Sequence, residues 1–182
     1  MAVPIQKQRM TIEEFQQLGK TEERLELIYG EVVEMSPIGP NHSAVVRRLN
    51  RLFSLKVISL AIVDVQSPLV LREQESEPQP DLNLLRLKDD FYWTKTPEPG
   101  DLFLSVEVAD SSLSYDRNVK MRLYAEAGIP ESWLVDLKSG TVWVYRQPSP
   151  TGYRDVHSYR RGESIAPEAF PEIAFTVDEI LG

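Results

Sequence analysis

A chain of 182 residues with 28 acidic and 20 basic side chains carries a net charge of −8. That balance argues against a broad surface for coating polyanions and for weak non-specific affinity for nucleic acid. The absence of cysteine rules out a disulfide scaffold and a thiolate metal site, leaving oxygen ligands and two histidines, a set that suits a hard cation better than zinc.

The hydrophobic share of 42% and the charged share of 26% are those of a globular chain, expected to form one domain over residues 1–182 with a real core. The opening MAVPIQKQRM contains no apolar run of signal length. The longest apolar stretch, around Val57 to Val65, falls well short of the roughly 20 residues a spanning helix needs. A cytoplasmic location is the expectation.

In chain order, TIEEFQQL (11–18) reads as a short helix. Thr11 and Glu14 form a capping box, and Ile12, Phe15 and Leu18 are expected to face inward. LELIYGEVVEM then reads as two strand segments meeting at Gly30, followed by the loop SPIGPN. Residues 42–60 carry the strongest helical pattern, with Val45, Leu49, Leu52, Phe53 and Leu60 on one stripe and Asn41 as the expected cap. Arg47, Arg48 and Arg51 fall largely off that stripe. With Arg117, Lys120 and Arg122 further on, they could line a basic cleft or form ordinary solvated faces.

AIVDVQSPLVLRE reads as two strand-like pieces broken near Ser67–Pro68, and the polar QESEPQPD delivers Asp81 to the strand LNLLRL. In LFLSVEVA (102–109) the alternation places Phe103, Ser105, Glu107 and Ala109 on one face. The helix RNVKMRLYAEA follows, expected to be capped by Asp116 and ended by Gly128. SWLVDL and TVWVYR form a hairpin around Lys138–Gly140, a further strand runs near Tyr153–Tyr159, and FTVDEIL starts a helix through a Thr176–Glu179 box. Hairpins outnumber strand–helix–strand crossings, so the expected fold is α/β with a central mixed sheet flanked by helices. No phosphate-cradling glycine loop is present, which disfavours a nucleotide cofactor.

Three acids and a lysine stand out. Asp81 lies where a loop enters a strand, Glu107 lies inside a strand, and Glu31 directly follows a glycine. Taken singly, each has an ordinary reading as a turn residue, an edge or paired acid, and a surface acid. A buried carboxylate without a partner is costly, however, and a divalent cation resolves two at once. Asp81 and Glu107, with the Val108 carbonyl as a third contact, would hold magnesium or manganese. Lys120, in the first turn of the next helix, would steady a phosphate or a water. His42 is a helix-start residue that could also relay a proton near neutral pH.

The segments RLELIYGEVVEMSPIGPNH (24–42), EPQPDLNLL (77–85) and LSVEVADSSLSYDRNVKMRLYAEAGIPESWLVD (104–136) together resemble the Uma2 family, a domain of unknown function abundant in cyanobacteria and part of the PD-(D/E)XK nuclease superfamily. Pro80–Asp81 matches its proline–aspartate element and Glu107 the acid of its second element. Ala109 stands where the superfamily's lysine usually lies, and Lys120 matches the displaced lysine of this family. Glu31 matches a Gly-Glu element, His42 the histidine after it, and Glu26 an acid with a supporting role. Residues 109–112 read ADSS where the family commonly reads Ser-Pro-Ser.

The resemblance implies a restriction-endonuclease-like fold and a Mg2+- or Mn2+-dependent endonuclease acting on DNA, with a homodimer as the expected assembly. Its catalytic set would be Asp81, Glu107, Lys120, His42 and Glu31. Two other readings stay open: a nucleic-acid-binding or structural protein that keeps the fold with little turnover, and a hydrolase of small phosphoesters. Trp143 and Tyr145 are expected in core packing or a dimer surface, since nothing in the sequence interleaves them with basic residues.

Overall fold

The computed structural model describes residues 9–19 and 24–182; residues 1–8, read above for a leader, lie outside that range. The elements run α1 (Ile12–Gln17), β1 (Leu25–Ile28), β2 (Glu31–Glu34), α2 (Pro40–Val57), β3 (Ile62–Val65), β4 (Leu82–Leu85) and β5 (Leu102–Ala109). Then come α3 (Leu113–Tyr115), a π-helical turn (Asp116–Lys120), α4 (Met121–Glu126), β6 (Glu131–Asp136), β7 (Thr141–Ser149) and β8 (Gly152–Arg160). The short strands β9 (Ser164–Ile165) and β10 (Phe175–Thr176) precede α5 (Val177–Leu181).

Strands β3 to β8 form a six-stranded sheet in sequence order. Every neighbouring pair is antiparallel except β5–β6, which is parallel and crossed by the α3–α4 segment. A crossover with a helix is what a parallel pair requires, and here it carries Lys120 over the sheet. The expected α/β fold with a mixed central sheet is the observed one.

The period-2 alternation of β5 divides the core. Leu104, Val106 and Val108 join Phe53, Trp133 and Phe175 under α2 and α5. Leu134 and Ala109, on the opposite face, pack with Met121, Leu123 and Tyr124 of α4. Trp133, Phe53 and Phe175 meet at centroid separations of 4.6 to 6.3 Å, where the tilted geometries add to the burial of large rings.

Several local expectations change. Leu18 is exposed, because α1 stops at Gln17 and Leu18 only caps it. Helix α2 starts at Pro40 with Gly39 as its cap, since proline at the first helical position gives up an N–H that would have no partner there; Asn41 lies inside the helix. Leu60 is past the helix end and exposed. Residues 69–71 are buried but form no named strand. Their amides bond to the carbonyls of Pro78, Pro97 and Ser76, so loops satisfy them instead of a ladder.

The hairpin β1–β2 is tight. Ile28 pairs with Glu31, and the two residues between, Tyr29 and Gly30, have φ of 50° and 78°, the positive pair of a type I′ turn. At Gly30 a Cβ would meet the Arg9 Cβ at 3.0 Å and the Met10 carbonyl at 3.2 Å. Gly128 is also left-handed, with φ of 77°, but has nothing within 4 Å. Gly30→Ala should therefore cost more than Gly128→Ala. Both pay about 1–2 kcal/mol for the backbone, and only the first adds a clash; equal losses in urea unfolding would show that the contact at Gly30 is relaxed freely.

Candidate active site

A cavity of about 700 Å³ opens where the β1–β2 hairpin, the start of α2, the ends of β4 and β5 and the π turn meet; its lining includes Glu26, His42, Asp81, Glu107, Asp116 and Lys120. At its floor, Lys120 Nζ donates to Glu26 Oε1 at 2.7 Å and to Glu107 Oε1 at 3.2 Å. All three residues are at most 4% exposed. The Tyr124 hydroxyl also donates to Glu107 Oε1, and the Gln79 amide donates to Glu26 Oε1 at 2.7 Å.

Local folding explains each placement. Glu26 sits mid-strand in β1, on the hairpin that the Tyr29–Gly30 turn folds against Gly30's partner, the Glu75 carbonyl. Glu107 lies on the α4 face of β5, where small neighbours Ser105 and Ala109 leave it room. Lys120 ends the π turn, whose closing bond runs from the Met121 amide to the Asp116 carbonyl. Such bulges inside helices recur at functional sites. Here it brings both Asp116 and Lys120 inside, each buried, where the sequence pattern placed Asp116 as a helix cap.

Asp81 enters from the loop before β4. Its Oδ2 accepts from the Val108 amide at 2.9 Å and lies 3.0 Å from His42 Nε2, while Oδ1 accepts from Gln66 Nε2 at 3.2 Å. Val108 thus meets Asp81 through its N–H, a different group from the carbonyl expected as a metal contact. The Nδ1 of His42 is buried without a partner.

The structure brings Asp81, Glu107, Lys120, Val108 and His42 to one cavity but leaves Glu31 apart. Glu31 is exposed at the start of β2 and does not line the cavity, because the two-residue turn sets it opposite Ile28 at the hairpin tip. Nor do the arginine clusters form a basic cleft. Arg48 donates to the Leu181 carbonyl, Arg117 stacks over Trp143 and Arg122 pairs with Glu126. Sequence reasoning missed Asp116 as a cavity residue, although its spacing of four from Lys120 already puts the two on one helix face.

The electrostatics follow from the count of charges. Burial pushes the Glu107 carboxyl well above its ordinary 4.5; Lys120 opposes this, and Asp116, Asp81 and Glu26 reinforce it. Burial likewise raises Asp116, against the pull of Lys120 and of its bond from Ser112. For Lys120, burial favours the neutral amine, but Glu107, Glu26 and Asp116 outweigh it and hold the ammonium above its usual range. Six carboxyl side chains, Glu26, Glu34, Asp81, Glu107, Asp110 and Asp116, line the cavity against the cations Lys120 and Arg24. Among the described residues, no three His, Asp or Glu side chains stand close enough to hold a metal ion as they are.

The Uma2 family profile, described as "putative restriction endonuclease", matches residues 12–178. The chain belongs to the Uma2 family. Among solved structures it is similar to "a putative nuclease belonging to DUF820" from Anabaena variabilis ATCC 29413, with a TM-score of 0.75 and 16% identity, covering 94% of this chain and 97% of that one. At that identity the likeness speaks for the fold, which is restriction-endonuclease-like. No curated protein matches the chain.

The raised Glu107 carboxyl has a stability signature. A carboxyl that holds its proton more tightly when folded supports the fold below its ordinary 4.5 and loses that support as pH rises through the folded value. Glu107→Gln removes this dependence. Urea unfolding from pH 4 to pH 7 should show the stability difference moving in the variant's favour as pH rises, and a constant difference would mean that Glu107 ionises normally.

Proposed function

We propose that this Uma2 protein is a divalent-metal-dependent endonuclease that hydrolyses DNA phosphodiester bonds in the cavity around Lys120. The observation that carries this reading is the convergence of Glu26, Asp81 and Glu107 on one cavity with a buried ammonium held between two of them. A purely structural ion pair gains little in such a place, because desolvation commonly offsets the attraction. A site that must receive both a cation and a phosphate has reason to keep it.

The donor set fits a hard divalent cation. The candidate ligands are carboxylate oxygens, they exceed the basic groups, and the excess negative charge is what a cation would offset. Asp81 and Glu107 are the residues to hold Mg2+ or Mn2+, whose contribution is to polarise the phosphate and acidify a water. Lys120 has three donors, of which Glu26 and Glu107 take two; the third is left for a phosphate oxygen, where it stabilises charge as the leaving oxygen departs. His42 is in hydrogen-bond range of Asp81 and can move a proton to or from water at the cavity wall. The Val108 amide fixes the Asp81 carboxylate in the orientation that this work needs. Glu31 has no part at the cavity, and a cytoplasmic homodimer acting on duplex DNA remains part of the proposal.

The competing reading, a nucleic-acid-binding protein with little turnover, is favoured by one feature: Asp81 already has three hydrogen-bonding neighbours. Cleavage of a mixed DNA library with and without Mg2+ decides between them. Asp81→Ala and Glu107→Ala should each abolish metal-dependent cleavage while keeping the far-ultraviolet circular dichroism of the parent. Cleavage surviving either change would remove that residue from the site, and no cleavage by the parent would favour the binding protein. Lys120→Ala should lower turnover about 100-fold or more, the scale of a lost charge-stabilising donor, with a smaller effect on Mg2+ affinity measured by calorimetry; equal losses would make the lysine a structural counter-ion.

A further inference from the structure

The two edges of the central sheet are unlike. At one edge, β8 carries Arg154, Asp155, His157 and Arg160, and charges of this kind keep an open strand from pairing with another chain. At the other, β3 reads Ile-Val-Asp-Val. Apart from its short length it carries none of the usual guards: no lysine, no proline and, against β4, no bulge. The phase of the ladder shows which of its backbone groups are unused. The Gln66 amide donates to the Asp81 carbonyl, so Gln66, Asp64 and Ile62 bond to β4, and the N–H and C=O of Val63 point outward. Among the described residues, no group outside the ladder bonds to either of them.

The ground beside this edge is apolar. Leu60 before β3 and Leu87 after β4 are exposed, Phe91 is 74% exposed and Trp93 90%. A second cavity, of about 470 Å³, is lined by Ile62 and Asp64 of β3 together with Phe91 and Trp93, so the aromatic loop stands next to the strand. Phe91 and Tyr92 have φ of 48° and 61°, a left-handed pair that bulky residues rarely adopt. The Tyr92 hydroxyl pins the loop by donating to the Arg86 carbonyl at 3.0 Å. Large aromatic side chains present about 150–250 Å² each, so Trp93 and Phe91 alone expose roughly 350 Å². That is close to half of the about 800 Å² that each partner gives an interface of ordinary size.

We propose that β3 is a dimerisation edge: a second copy of this chain adds its own β3 antiparallel, across a two-fold axis at Val63, and joins the two six-stranded sheets into one. This gives the homodimer of the proposed function its contact surface, and it rests on that reading only for the presence of a second copy. The strand is its own complement in one register. With Val63 opposite Val63, the outward N–H of each donates to the outward C=O of the other, and Ile62 falls opposite Asp64 on both sides of the axis. The neighbouring register, centred on Asp64, sets two carboxylates face to face, which is destabilising, and its central residue already spends its backbone groups on β4. A two-fold axis normal to the sheet keeps both aromatic loops on one face, beside the seam, where Trp93 and Phe91 lose their exposure. A two-fold contact of this kind closes on itself and stops at two copies.

Sedimentation equilibrium in EDTA, with no DNA present, tests it. The parent should show twice the chain mass of 20.8 kDa. Val63→Pro removes the outward N–H and leaves the β4 ladder intact. That variant and Trp93→Ser should each weaken the dimer about 10-fold or more, the scale of a lost central contact, whereas Val156→Ser on β8 should leave it unchanged. Trp93 is exposed, so its variant decides the matter even where Val63→Pro folds poorly. Register is read separately, because the chain has no cysteine of its own. Asp64→Cys in the two copies would set the Cα atoms about 8 Å apart, within reach of a short bismaleimide, and Val156→Cys should not link. A parent that stays at 20.8 kDa at every concentration, a dimer that Trp93→Ser leaves unchanged, or a dimer in which Asp64→Cys fails to link overturns the edge. A monomer that cleaves DNA overturns the interface alone. A dimer paired this way that never cleaves upholds the interface and overturns the hydrolysis.

Discussion

The ammonium of Lys120, shared between Glu26 and Glu107 away from water, is the constraint that the surrounding structure serves. Its three members come from remote parts of the chain: a hairpin, a central strand and a crossover helix. None can stay buried alone, because an uncompensated charge in the interior costs several kcal/mol. The hairpin turn at Tyr29–Gly30, the parallel β5–β6 pair and the π turn are therefore coupled through one group of charges. The Tyr124 hydroxyl and the Gln79 amide complete the shell, which fixes both carboxylates before any ligand arrives. Preorganisation of this kind is worth most in a dry site, where fixed dipoles need not reorient.

The parts of this arrangement that obey a short period could be read from the sequence. Strict alternation in residues 102–109 put Glu107 on the face with small neighbours, and the structure places it there. Gly30 marked the hairpin turn, and two Thr-x-x-Glu boxes marked α1 and α5. What could not be read depends on departures from ideal geometry or on distant partners. Asp116 stands four residues before Lys120, but in the sequence it reads as a cap outside the helix, and the π turn that brings both residues inside leaves no trace in a helical pattern. Residues 69–71 have a strand's composition, but their hydrogen bonds go to loops far along the chain. Glu31 and Glu26 shared one motif-bearing segment, yet only Glu26, in the middle of β1, reaches the ammonium.

The basic residues show the same limit. Sequence alone grouped Arg117 with Lys120 as neighbours on a helix; the structure puts Lys120 in the cavity and Arg117 over the Trp143 ring. Nothing in the spacing along the chain announced that Arg117 reaches Trp143 across the fold.

Under the proposed reading this division of charge sets an order of events. A cavity whose carboxyl groups outnumber its cations, Lys120 and Arg24, disfavours a phosphodiester through like charge. Positive charge must therefore enter before or with the phosphate, and the carboxylates attract it most strongly while the cavity lacks an anion. The scissile phosphate is then admitted only once the cavity's charge is balanced. Cation and phosphate then enter as a pair, which reconciles an acidic cavity with a polyanionic substrate.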